Sequence, residues 1–323
     1  MKASDVLSRA EIAALTQRSN LRGAWEVART WAIIVLTMTA AAAFPTWWMI
    51  ALALVVLGNR QLALAILMHD AAHGILMRTP ALNRFVGHWV CGVPNNVSMS
   101  EYRGHHIGHH GLAGTDRDPD RSLTAGYPTT PSRVARRFAR DLLGYSSVKR
   151  LVGIVLMGTG KMRYTAAVDV QRLDTSGRSW AEAFSFAATH LGPYPAFNAG
   201  ALLLLAAVGY AWLFALWWAA YLTTYSAFMR LRSGSEHACV PGGPDPRLHT
   251  RTVLPSRLGA MLWAPHYVHY HLEHHLLPTV PCYRLPELHA MLRARGALDG
   301  ACVEHGGYLA VLRQLTSATR PAC

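Results

Sequence analysis

Residues 47–73 read WWMIALALVVLGNRQLALAILMHDAAH, and this stretch decides the fold. From Trp47 to about Met68 it is apolar, broken only by Gly58-Asn59-Arg60-Gln61. A bilayer core takes about 20 residues of helix, so the run predicts a membrane span. It ends in His69-Asp70-Ala71-Ala72-His73. Residues i and i+4 share a helix face, with Cβ atoms roughly 5–6 Å apart. HxxxH therefore offers two imidazoles to one point, at the end of a span.

Two more clusters follow, His106-Ile107-Gly108-His109-His110 and His271-Leu272-Glu273-His274-His275. The HxxHH spacing predicts three imidazoles aimed at one point. His237, in Ser235-Glu236-His237, stands just beyond another apolar run. Imidazole suits zinc, copper, iron and nickel. Together these nitrogens exceed what a four-coordinate zinc needs, and the surplus predicts two metals.

Three further apolar runs span Trp31 to Phe44, Tyr194 to Val208 and Ala211 to Met229. Pro45-Thr46 and Gly209-Tyr210 read as turns, which makes two hairpins and four spans. Neither turn carries Lys or Arg, whereas the N-terminal segment, Arg78 to Arg178 and the chain after Arg230 are rich in them. The positive-inside rule then places both termini and every histidine cluster on the cytosolic side. The expected fold is all-α and integral to the membrane, with a cytosolic helical cap holding a histidine-ligated di-metal site. One domain is expected over 1–323: a cytosolic lead-in (1–29), a first hairpin (30–68), a cytosolic or interfacial segment (69–193), a second hairpin (194–230) and a cytosolic segment (231–323). Arg60 falls inside a predicted span, where a charge is costly, and is read as snorkelling or pairing within the bundle. The segment from Arg84 to Met99 reads as re-entrant or interfacial, and Leu151 to Met157 as lying on the membrane.

Composition agrees. Of 323 residues, 51% are hydrophobic and 15% charged, against roughly 25% charged in an average globular domain. That favours one embedded domain over two soluble ones. A net charge of +13 suits anionic lipid heads, an acidic redox partner or an anionic substrate. Nucleic acid is set aside, because no nucleic-acid module accompanies the charge. Cys91, Cys239, Cys282, Cys302 and Cys323 form no CxxC. They read as reduced thiols facing a cytosol, with no iron–sulfur or zinc-ribbon site. Met1 to Arg29 shows no cleavable signal, and Arg320-Pro321-Ala322-Cys323 no retention or prenylation signal.

The boxes continue in a recognisable way. The first is followed by Gly74, and the second is preceded by Tyr102-Arg103-Gly104-His105 and followed by Asp118-Pro119-Asp120. The third runs from Tyr270 through Leu276-Leu277-Pro278 to Val280-Pro281-Cys282-Tyr283-Arg284-Leu285-Pro286 and His289. From about Leu62 to Met291 the chain resembles the membrane fatty acid desaturase superfamily, its bacterial members above all, a superfamily that also holds hydroxylases and ketolases.

The resemblance implies a non-haem di-iron centre: two iron ions held by His69, His73, His106, His109, His110, His237, His271, His274 and His275, with dioxygen as co-substrate. His105 and His269 depart from the usual pattern. Each is an extra ligand or a group behind the ligands, and the second reading is taken, as for His266. Asp70, Asp116, Asp118, Glu236 and Glu273 are candidates to accept the second N–H of a ligating imidazole. His88, His190, His249, His289 and His305 lack cluster spacing and read as structural.

The activity implied is oxygen-dependent insertion of a double bond into the aliphatic chain of a fatty acyl lipid or related metabolite. The same centre could instead perform hydroxylation or ketolation of a lipid, carotenoid or small natural product. No cytochrome-like domain, dinucleotide fingerprint or cluster-binding cysteine set is legible. The electron donor is therefore expected to be external, a ferredoxin or small cytochrome with its reductase, drawn to the basic face. Two rivals are a metal transporter, which would place polar groups mid-span, and a zinc-dependent membrane hydrolase, which would use about three ligands.

Overall fold

The helix that begins at Trp47 runs without a break into the first histidine cluster. In a computed structural model, which describes residues 1–166 and 170–317, Trp47–His73 is one helix of 27 residues. Eight helices carry the site and its supports: α1 (Asn20–Ala43), α2 (Trp47–His73), α3 (Met99–Leu112), α4 (Tyr145–Gly158), α5 (Pro193–Ala207), α6 (Trp212–Leu222), α7 (Thr224–His237) and α8 (His271–Leu276). Ser19, Thr46 and Ser98 begin α1, α2 and α3, each accepting a backbone N–H of the first turn. Such a cap satisfies a donor that the helix leaves orphaned. Phe44-Pro45-Thr46 separates α1 from α2, and α1 starts well before the apolar run it carries.

The central element is α2, which packs against α1, α3, α6 and α7. Its environment changes along its length. From Leu57 to Ala72 every residue is buried, whereas among residues 47–56 only Met49 and Ala53 are. The outer turns instead display apolar side chains, with Trp47 84% exposed and Leu52 50% exposed. Apolar residues are also exposed on the outer turns of α1 (Val35, Leu36) and on α5 (Leu203, Leu204). Large exposed apolar patches mark a non-aqueous neighbour.

By length and composition α1 and α2 can cross a membrane. The second predicted hairpin is built differently. α5 is apolar but has 15 residues. The expected span from Ala211 to Met229 is broken at Thr223, where φ −118° and ψ −86° leave the helical region. The break is made by hydroxyls that compete for backbone carbonyls: Thr223 Oγ1 donates to Ala219 O and Thr224 Oγ1 to Leu54 O. Gly58 of α2 lies against this break, where a Cβ would collide with Thr224 Oγ1 and crowd the backbone N of Tyr225.

Other expectations change in detail. Arg60 lies in the encased half of α2, buried, with Nε donating to Asn59 Oδ1 at 3.0 Å. It pairs within the bundle instead of reaching for a surface. The interfacial segment after Leu151 belongs to the longer α4, whose exposed residues Tyr145, Val148, Val152 and Val155 form one stripe. The fold is not wholly α: β1 (Thr252–Val253) and β2 (Val303–Glu304) pair in parallel. Cys91, Cys239 and Cys282 are free and buried. Cys323 and the rest of Arg320-Pro321-Ala322-Cys323 lie outside the described residues.

Candidate metal centre

Four segments converge on the inner end of α2. The last turn of α2 presents His69 and His73, and Gly74 ends the helix at φ +78°. α3 brings His106, His109 and His110, α7 ends on His237, and the six-residue α8 brings His271, His274 and His275. All nine side chains fall into two groups: His69, His73, His106, His110 and His274 form one, and His109, His237, His271 and His275 the other. Within each group the nearest ring nitrogens lie within 4.8 Å of one another.

This corrects the expectation that each HxxHH aims three rings at one point. Successive residues on a helix are turned by about 100°. Positions i and i+4 therefore nearly coincide, while i+3 lies on the other side of i. His106 and His110 share the first group and His109 goes to the second. His271 and His275 share the second group and His274 goes to the first. Each HxxHH helix thus straddles both groups and fixes their spacing.

The ring nitrogens are disposed as metal donors. His109 Nδ1–H donates to Asp118 Oδ1 at 2.8 Å, and His237 Nδ1–H to the carbonyl of His249 at 3.1 Å. A neutral imidazole that donates through Nδ1 keeps a lone pair on Nε2. Yet His109 Nε2 and His237 Nε2 face each other at 3.2 Å. Similar Nε2 pairs join His106 to His110 at 3.0 Å, His110 to His274 at 3.1 Å and His237 to His271 at 2.8 Å. Nε2 of His69, His73 and His275 is buried without a hydrogen-bond partner among the described residues. Converging lone pairs are repulsive in a low-dielectric interior unless a cation lies between them. The donor set therefore fits a metal in each group. Burial, followed by neighbouring imidazoles, holds His106, His110, His274 and His275 below the ordinary imidazole pKa. This keeps them in the neutral form that ligates.

The candidate carboxylates divide. Besides orienting His109, Asp118 accepts the backbone N–H of Asp120, whose Oδ1 accepts from His105 Nε2 at 2.7 Å. Burial opposes protonation of His109, but the Asp118 bond and the charge of Asp120 outweigh it and raise its pKa. Asp70 lies 3.2 Å from His69 Nδ1 and accepts the backbone N–H of Cys282 at 2.8 Å, tying the first box to the turn after the third. Glu236 accepts from Arg232 Nε at 2.7 Å and lies 3.6 Å from His271 Nδ1. Two candidates do not brace a histidine of either group. Asp116 is on the surface and pairs with Arg121 at 2.9 Å, because its loop turns outward before Asp118. Glu273, fully buried, faces away from the rings and holds His289 Nδ1 at 2.6 Å and the hydroxyl of Thr252 in β1. His105 and His269 lie outside both groups.

Sequence reasoning missed three contributors. His249 orients His237 through its carbonyl, His289 anchors Glu273, and Arg232 balances Glu236. Of these, the i, i+4 pair of Arg232 and Glu236 is the one with a legible sequence signal.

A site of this kind, all imidazole and doubled, could hold two metal ions. The chain belongs to the fatty acid desaturase family, whose model matches residues 45–306. Membership makes it a desaturase-type oxidoreductase of a membrane-associated family. It is similar to the dihydrorhizobitoxine desaturase of Bradyrhizobium elkanii, at 26% identity over 270 residues, which cover 82% of this chain and 74% of that one.

Proposed function

We propose that the chain is a di-iron, oxygen-dependent desaturase acting on an aliphatic chain, the iron held by the five- and four-histidine groups. The observation that carries this reading is the set of Nε2 lone pairs facing one another across each group, with Nδ1 of His109 and His237 already bound to acceptors. When bound, a pair of irons supplies activation of dioxygen and oxidation of an unactivated C–H bond. The chain's own part is to hold nine rings in fixed register, to keep Nδ1 of the orienting pairs protonated, and to exclude water by burying most of the rings. Preorganised positioning of the substrate carbon decides between a double bond and an alcohol. Hydroxylation or ketolation of a lipid, carotenoid or small natural product by the same residues is the second reading.

The proposed setting is a single domain in a bacterial inner membrane, with four spans and a cytosolic site. It is supported by the length of α1 and α2, by the apolar exposure on α5, and by the Lys/Arg distribution. Electrons would come from a ferredoxin or small cytochrome with its reductase, drawn to the basic face. The test is elemental analysis of purified protein, with mass spectrometry of lipids and small metabolites after expression beside a reductase system. About two irons per chain and a product two hydrogens lighter than its precursor are expected. Stoichiometric zinc in active protein would overturn the reading.

A further inference from the structure

Between the first and second boxes the chain runs down the flank of α2 and back. Pro80–Phe85 leads into a π-helical turn, Val86–Gly92, and the next residues reach Asn95. Gly87 lies against Ala71 and Gly92 against Met68, and Asn95 Nδ2 donates to the carbonyl of Gln61 at 2.8 Å. α3 then climbs back, and Met99 at its start meets Gly87. π-helical turns are rare and gather at functional sites.

A pocket of about 370 Å³ opens where the two limbs meet. Arg84, Phe85, His88 and Trp89 line it from the descending limb, and Met99 and Ser100 from the start of α3. That volume falls in the range of ligand sites. Phe85, Trp89 and Met99 give it an apolar side, with Phe85 57% and Trp89 47% exposed. Its polar groups are one guanidinium, one imidazole and one hydroxyl, and no carboxylate lines it. Arg84 is exposed and makes no hydrogen bond or ion pair among the described residues. The ring nitrogens of His88 make none either, and the ring packs edge-on to Trp89 at 5.0 Å. The nearest acid along the chain, Glu101, turns toward His190, 3.8 Å away. Donors on one side and an aromatic wall on the other fit an amphiphile with an anionic head. A guanidinium suits phosphate oxygens in particular.

The height of the pocket identifies the amphiphile. α2 begins at Trp47, and about 20 residues of helix cross the hydrocarbon core, which brings the core to about Ile66. Ala71 lies about 7 Å further along the axis. Lipid head groups occupy about 5–8 Å beyond the hydrocarbon on each side. Gly87, next to His88, touches Ala71, so the pocket stands at head-group level, where Trp side chains anchor. Building on the membrane setting proposed above, we infer that this pocket binds the phosphate head of a net-anionic glycerophospholipid, with its acyl chains along Phe85 and Trp89. None of the six lining residues belongs to either histidine group. The bound lipid joins the limb behind His69 and His73 to the helix that carries the second box.

The test is native mass spectrometry of the full chain, purified in detergent and stripped of lipid. It is titrated with phosphatidylglycerol, with phosphatidylcholine of identical tails, and with inorganic phosphate. One basic side chain near the membrane surface is worth about fivefold in affinity. Phosphatidylglycerol is therefore expected to bind about fivefold more tightly than phosphatidylcholine. In Arg84→Gln the two lipids should bind alike, and Arg84→Lys should restore the preference. Arg133→Gln, at an exposed position of the separate helix Pro131–Leu142, should leave it unchanged. If Arg84→Gln fails to fold, Ser100→Leu decides, since it narrows the pocket from an exposed position and should weaken phosphatidylglycerol about fivefold. Equal binding of the two lipids by wild type, a preference kept by Arg84→Gln, an equal loss in Arg133→Gln, or unchanged affinity in Ser100→Leu overturns the inference. Inorganic phosphate bound as tightly as phosphatidylglycerol would mark a site for free anions and overturn it as well. Neither iron nor turnover is read, so the outcome is independent of the desaturase reading.

Discussion

A single hydrogen bond distinguishes a ligand that is aimed from one that is merely present. Asp118 and Asp116 are two residues apart, both near the second box, and equal candidates on sequence. One holds His109 Nδ1 at 2.8 Å, and the other pairs with Arg121 on the surface. Asp118→Asn keeps the shape and removes the charge that favours a protonated Nδ1. Loss of such a bracing group costs roughly 10–100-fold in metal affinity or activity. Asp118→Asn should fall in that range and Asp116→Asn should match the wild type, in iron per chain and turnover measured together. Equal behaviour of the two variants would mean that the ring of His109 is held by packing instead. The same scale separates His109 from His305, which is exposed and belongs to neither group. His109→Ala should abolish turnover and His305→Ala should not.

Among the helices, the periodicity that makes an HxxHH box legible also splits it. The angular spread of i, i+3 and i+4 sends one ring of each box to the group opposite its other two, so α3 and α8 hold the two groups together. The break at Thr223 serves this convergence, since α7 has to leave the line of α6 to bring His237 to its group. Gly58 permits the close approach of α2 to that break. Gly58→Ala should destabilise the protein by about 1–3 kcal/mol, the usual cost of overpacking. A Tm lowered by several degrees with iron content reduced in step is expected. A Tm equal to that of wild type would show that the crossing has slack.

At the scale of the molecule, the apolar exposure on α1, α2 and α5, with the encased inner half of α2, fits a body whose outer turns face lipid and whose histidine end stands clear of it. The proposed four spans would put both termini on one side, and the Lys/Arg distribution would make that side the cytosol. Reporter fusions at residue 1 and after residue 317 should therefore both report cytosol. Opposite sides would show that the short α5 or the broken α6–α7 pair does not complete a crossing.

Local periodicity is a property of the chain itself, and so the three boxes, the first hairpin and the helix-rich class were legible from residues alone. The family could be inferred for the same reason, because its motifs are short and contiguous. The partition of nine histidines into two groups was not legible, nor was the outward turn of Asp116 or the inward turn of Glu273 toward His289. Each depends on distances between segments far apart in sequence, such as Asp70 with Cys282 or His109 with His237. Helical spacing determined which rings could act together. The packing of α2, α3, α7 and α8 decided which of them do, because a ring nitrogen must come within a few ångströms of its partners before charge and lone pairs have any effect.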